Sequence, residues 1–147
     1  MPRTVLLIED NPEDVKLVND AVARIAPEVR LVVARDGLGA LELMRRYASG
    51  QQDSLALIIL DLHIPNLHGI EVLRQFKSSP FTQFVPVVVF SGTATDVHLR
   101  ELYTLGISSF VEKLTDRAAN RHNLETALQY WLKVNSAATA ASSGSDS

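Results

Sequence analysis

Cysteine is absent from the sequence, which excludes a disulfide framework, a thiolate zinc site and a cysteine nucleophile. Also missing is any apolar run approaching the roughly 18 residues that span a bilayer. The opening Met-Pro-Arg-Thr passes directly into Val5-Leu6-Leu7-Ile8 and two acids, without the long apolar stretch and small-residue cleavage site of a signal peptide. A cytoplasmic protein with no membrane partner is therefore expected. There is no basic excess either. The net charge is −3, whereas duplex binding asks for a basic face, so nucleic acid is not an expected partner. Against these absences, the 46% of hydrophobic residues supports a packed core, and 147 residues suit a single domain.

Short apolar runs alternate with helical patterns along the chain. Thr4 to Ile8 reads as a strand buried on both faces, ending in Glu9-Asp10. Asn11 and Pro12 then supply an N-cap and a first helical residue, with Asp14 in the positive first turn. Val15, Val18, Val22 and Ile25 give that helix one apolar face, and Pro27 ends it. Further strands are expected at Arg30 to Ala34, Ala56 to Leu60, Val87 to Phe90 and Ser109 to Glu112. Helices are expected over Leu38 to Ala48, around Val72, Leu73 and Phe76, over Asp96 to Leu105 with Gly106 as C-cap, and around Leu124, Leu128 and Leu132. Ser49 to Asp53 reads as a polar loop. From Ser136 the composition falls to Ser, Ala, Thr and Gly with one Asp, so residues 135–147 are expected to be a disordered tail. This alternation predicts an α/β fold: a flavodoxin-like, doubly wound parallel sheet of five strands with helices on both faces.

Right-handed crossovers would bring every strand's C-terminal end to one edge of that sheet. Glu9 and Asp10 close strand one, Asp61 strand three, Ser91 strand four and Lys113 strand five. Taken alone, each of these residues is an ordinary turn former, cap or surface charge. Together they are complementary chemistry on one edge. The carboxylates would repel one another unless a cation neutralised them, and an all-oxygen set suits Mg²⁺. A lysine and a hydroxyl complete a cradle for phosphoryl oxygens, and an aspartate can act as nucleophile to form an acyl phosphate.

These residues carry a resemblance to the receiver domain of two-component response regulators, over roughly residues 3–134. Val5-Leu6-Leu7-Ile8-Glu9-Asp10-Asn11 resembles the family's acidic strand, and Leu60-Asp61-Leu62-His63-Ile64-Pro65 with Gly69 resembles its phosphoacceptor loop. Ser91 and Lys113 match its hydroxyl and lysine positions. The resemblance implies strand order 2-1-3-4-5 and a phosphoryl group carried on Asp61. It also implies Mg²⁺ held by Glu9, Asp10, Asp61 and the backbone carbonyl of His63. The phosphodonor would be a sensor histidine kinase. Phe110 falls at the family's aromatic switch position, so the product would be read through the face of helix four, strand five and helix five. With no segment after Val134 suited to an output domain, that reading is expected to occur through protein contact.

Two features depart from the family pattern. Leu114 replaces the usual proline after Lys113, and His63 and Thr93 occupy positions that tune phosphoryl lifetime in the family. His68, His98 and His122 lack metal-ligand spacing. Tyr103, Phe110, Tyr130 and Trp131 supply aromatic residues for a homodimer through the switch face, though Trp131 also has the helical spacing of a core residue. The Tyr130-Trp131-Leu132 ending resembles stand-alone regulators of bacterial phytochrome kinases. The rival reading is a Mg²⁺-dependent phosphatase with Asp61 as nucleophile. Where such enzymes place a second aspartate as general acid, this chain has His63.

Overall fold

Side-chain alternation along the central strands divides the interior in two. In the computed structural model, which describes residues 3–48 and 54–136, the strands are β1 (Arg3–Ile8), β2 (Arg30–Ala34), β3 (Ser54–Leu60), β4 (Val87–Ser91) and β5 (Ser109–Glu112). All pair in parallel, in the order β2-β1-β3-β4-β5. Val5 and Leu7 of β1 face one cluster, with Leu57, Ile59, Val88 and Phe90. Leu6 and Ile8 face the other, with Ile58, Leu60, Val87 and Val89. Successive strand residues point to opposite faces, so a strand covered on both sides reads as a continuous apolar run.

The helices are α1 (Pro12–Ile25), α2 (Gly37–Ala48), α3 (Gly69–Ser78), α4 (Asp96–Leu105) and α5 (Arg117–Gln129). Leu17, Val18, Ala21 and Val22 of α1 and Leu124 and Leu128 of α5 cover the first face. Ala40 of α2, Val72, Leu73 and Phe76 of α3 and Leu102 of α4 cover the second. The expected α1 face is thus slightly rotated, with Val15 and Ile25 at its rim. Local signals set the helix ends. Asn11 accepts a hydrogen bond from the Glu13 N–H, and Gly106 closes α4 at φ 104°, a left-handed conformation that glycine adopts without penalty.

After α5 the chain does not stop but widens into a π-helical turn over Tyr130–Val134. That turn sets the Trp131 indole half-buried against the first cluster, its Nε1 donating to Ser109 Oγ at 3.2 Å. The core reading of Trp131 therefore fits, while Tyr130 remains exposed and packs edge-on against it. The expected loop at 49–53 and the tail beyond residue 136 lie outside the described residues.

Candidate functional site

The sheet ladder continues one residue past several strand ends, and this fixes the polar residues. Glu9 N–H donates to the Ala34 carbonyl, Asp61 N–H to Ile8 and Lys113 N–H to Ser91. The side chains then converge. Ser91 Oγ donates to Asp61 Oδ1 at 2.8 Å, and the His63 N–H donates to the same oxygen at 3.0 Å. Lys113 Nζ lies 2.7 Å from Glu9 Oε1, 2.9 Å from Asp14 Oδ2 and 3.0 Å from Asp61 Oδ2. Glu9, Asp10, Asp61, Ser91 and Lys113, expected on one edge, are all there.

The loop after Asp61 is held in turn by the start of α3. A Cβ on Gly69 would stand 2.6 Å from Leu62 Cα and 3.0 Å from the Asp61 carbonyl oxygen. Only glycine lets the helix approach the backbone so closely. The Gly69 N–H also donates to the Leu62 carbonyl. His68 is the N-cap of that helix, accepting from the Ile70 N–H, which gives this exposed histidine a structural task.

Burial and charge oppose each other here. Glu9 is 1% exposed. Its pKa is raised to about 7 by burial, with the neighbouring Asp61 adding to the effect and Lys113 opposing it. Burial pushes the Asp61 pKa up as well, but the His63 N–H, the Lys113 ammonium and the Ser91 hydroxyl outweigh it and hold the group below the ordinary aspartate value. Asp61 is therefore ionised near neutrality, the form a nucleophile needs. For Lys113, burial disfavours the charge, but hydrogen bonds to Asp14, Glu9 and Asp61 more than compensate and raise its pKa.

Asp14 is the participant that sequence reasoning missed. It reads locally as a first-turn acid favouring the helix dipole, yet it also faces Lys113 across 99 positions of sequence. The structure also resolves the Lys113–Leu114 departure: every peptide bond among the described residues is trans, this one included. Thr93 donates to Glu112 Oε2 at 2.9 Å, tying the loop after β4 to β5. Phe110 is half-buried, paired in register with Val89 and packed against the second cluster. The His63 side chain is exposed beside the site.

The donor set fits a hard divalent cation. Glu9, Asp10 and Asp61 each offer an oxygen within 4.8 Å of the others, and Asp10 is exposed at the rim, where an ion could keep water ligands as Mg²⁺ does. One lysine faces Glu9, Asp14 and Asp61 with Asp10 alongside, so negative charge remains in excess. No helix among the described residues is long and apolar enough to cross a membrane.

Comparisons with known proteins agree with this geometry. Residues 5–128 match the profile of the response regulator receiver domain. The probable methanogenesis regulatory protein FilR2 of Methanothrix harundinacea is 32% identical, over 91% of this chain and 86% of its own. Response regulator Rcp1 of Synechocystis sp. is 29% identical, over 76% and 77% of the two chains. The Mn²⁺-bound structure of Rcp1 superposes with a TM-score of 0.85 at 25% identity, covering 94% of this chain and 100% of that one. The phosphorylated cyanobacterial phytochrome response regulator RcpA also gives a TM-score of 0.85, at 27% identity, covering 93% and 99%. With strand order, acidic edge and sequence in agreement, this chain belongs to the response regulator receiver domain family.

Proposed function

We propose that the chain, through residues 3–134, is a phosphorylation switch that accepts a phosphoryl group from a sensor histidine kinase onto Asp61. One observation carries this reading: an ionised, nearly buried aspartate is gripped by a hydroxyl, a backbone N–H and an ammonium beside two further acids. In the transfer, an Asp61 carboxylate oxygen attacks phosphorus as the phosphorus–nitrogen bond to the donor histidine breaks. Catalysis here needs positioning and charge neutralisation more than covalent chemistry. Lys113 and Ser91 supply a positive charge and a neutral donor for the transferred oxygens.

Glu9, Asp10, Asp61 and the His63 carbonyl would hold Mg²⁺. When bound, the ion neutralises part of the site's negative charge and polarises a phosphoryl oxygen. The test is intact-mass measurement after incubation with acetyl phosphate. A single phosphoryl adduct is expected with Mg²⁺ and none with EDTA; an adduct equally abundant in EDTA would overturn the metal dependence, and no adduct at all would overturn the reading.

The switch would run through Ser91. When its hydroxyl turns to the phosphoryl oxygens it leaves Asp61 Oδ1, and Phe110 rotates into the space, reshaping the face of α4, β5 and α5. This is a local charge event biasing a two-state element. Ser91→Ala should still take up phosphoryl, several-fold more slowly, but lose phosphorylation-dependent binding of its downstream protein partner. Retention of that binding in a pull-down would refute the coupling. The same face, with Tyr103 exposed on α4, is the proposed homodimer surface. Likeness to the phytochrome response regulator RcpA supports a phytochrome-type kinase as phosphodonor; the setting proposed is cytoplasmic.

A further inference from the structure

A lysine aimed at carboxylates is only as well placed as the backbone that carries it. On its strand side, the backbone of Lys113 is fixed, its N–H donating to the Ser91 carbonyl at 2.6 Å. On the other side, the ladder has ended. Leu114 follows, 41% exposed, so burial gives that residue little anchorage.

One side chain supplies what burial does not. Asn120 Oδ1 accepts from the Leu114 N–H at 2.6 Å, and Asn120 Nδ2 donates to the Leu114 carbonyl at 2.8 Å. A single amide thus satisfies both backbone groups of the residue next to Lys113. Asn120 is 6% exposed, a setting in which a polar side chain requires partners. Its own N–H is bonded to the Asp116 carbonyl at 3.1 Å. Asp116 in turn caps α5, its side chain accepting from the Ala118 and Ala119 N–H groups. The brace therefore runs from a capped helix to the backbone behind the ammonium.

We propose that Asn120 is a positioning residue that, by clamping Leu114 to α5, holds Lys113 over Glu9, Asp14 and Asp61 and so sets the rate of phosphoryl uptake. The proposal rests on Asp61 being the phosphoacceptor. Small displacements of a catalytic group carry large rate penalties, about a hundredfold for a misplacement near 1 Å. A merely structural asparagine would cost stability without acting through Lys113.

The experiment compares wild type, Asn120→Ala, Lys113→Ala and the double variant, at a temperature where circular dichroism shows each to be folded. Uptake from acetyl phosphate with Mg²⁺ is expected to fall about ten- to a hundredfold in Asn120→Ala. In the Lys113→Ala background the same substitution should change the rate by less than about twofold, because the two residues act as a unit. Asn120→Asp, which keeps an acceptor for the Leu114 N–H, should lie between wild type and alanine, and it serves also if the alanine variant does not fold. Independently of phosphoryl chemistry, the Lys113 ammonium protons, held by three carboxylates, should give an NMR signal in wild type that broadens away in Asn120→Ala. An unchanged signal, or an equal loss of rate with and without Lys113, would overturn the proposal. If wild type takes up no phosphoryl group, the reading of Asp61 fails instead, and the ammonium signal alone decides for or against Asn120.

Discussion

Asp61→Asn is expected to abolish phosphoryl uptake from acetyl phosphate while the protein stays folded. The substitution is nearly isosteric. The asparagine Oδ1 can still accept from the Ser91 hydroxyl and the His63 N–H, which bond the Asp61 Oδ1 at 2.8 and 3.0 Å. Lys113 keeps its contacts with Glu9 and Asp14 at 2.7 and 2.9 Å. What disappears is the anion. A neutral amide is a poor nucleophile, and no other carboxylate in the site is bonded by both Ser91 and a loop N–H. Intact mass should show no adduct on the variant under conditions that label wild type, with circular dichroism unchanged. An adduct equal to that of wild type would place the phosphoryl group elsewhere.

Lys113→Met should lower both uptake and stability. The methionine roughly preserves volume but leaves Glu9 and Asp61, 1% and 6% exposed, facing Asp10 and Asp14 with no ammonium. Removing one partner from a buried ion pair typically costs about 3–5 kcal/mol. The lower end, about 3 kcal/mol, is expected here, since Glu9, with its pKa already near 7, can take up a proton. A divalent cation that binds only the folded state should return part of the loss by mass action. Urea unfolding with and without Mg²⁺ checks both points. A variant as stable as wild type in EDTA would contradict the role given to Lys113 in balancing the acids.

Much of this was readable in the sequence because the deciding forces were local. Asn11-Pro12 and Gly106 mark helix ends through their own backbone preferences, and the structure places those ends where they are expected. Runs such as Val5 to Ile8 read as two-faced strands because each apolar residue has a core to face. The five strand-terminal residues followed from topology, since a parallel sheet gathers all its C-terminal ends.

Other features depended on partners the local sequence does not name. Asp14 has a sufficient local explanation as a first-turn acid, so nothing in its neighbourhood points to Lys113. Asn120 reads as an indifferent helix residue. Its meaning lies in the backbone of Leu114, brought under it only by the turn between β5 and α5. The π-helical turn at Tyr130–Val134 continues an apparently ordinary helical pattern, and only packing of the Trp131 indole against the core accompanies the widening. The replacement of proline by Leu114 was visible, but its structural answer was not.

The most direct measurement locates the phosphoryl group itself. Borohydride reduces an acyl phosphate to the alcohol, so a phosphorylated aspartate becomes homoserine, which peptide mass spectrometry places in the chain. After labelling with acetyl phosphate and Mg²⁺, homoserine is predicted at position 61 and at no other acid. Conversion at Asp10 or Asp14, or a phosphoryl adduct with position 61 left as aspartate, would contradict it.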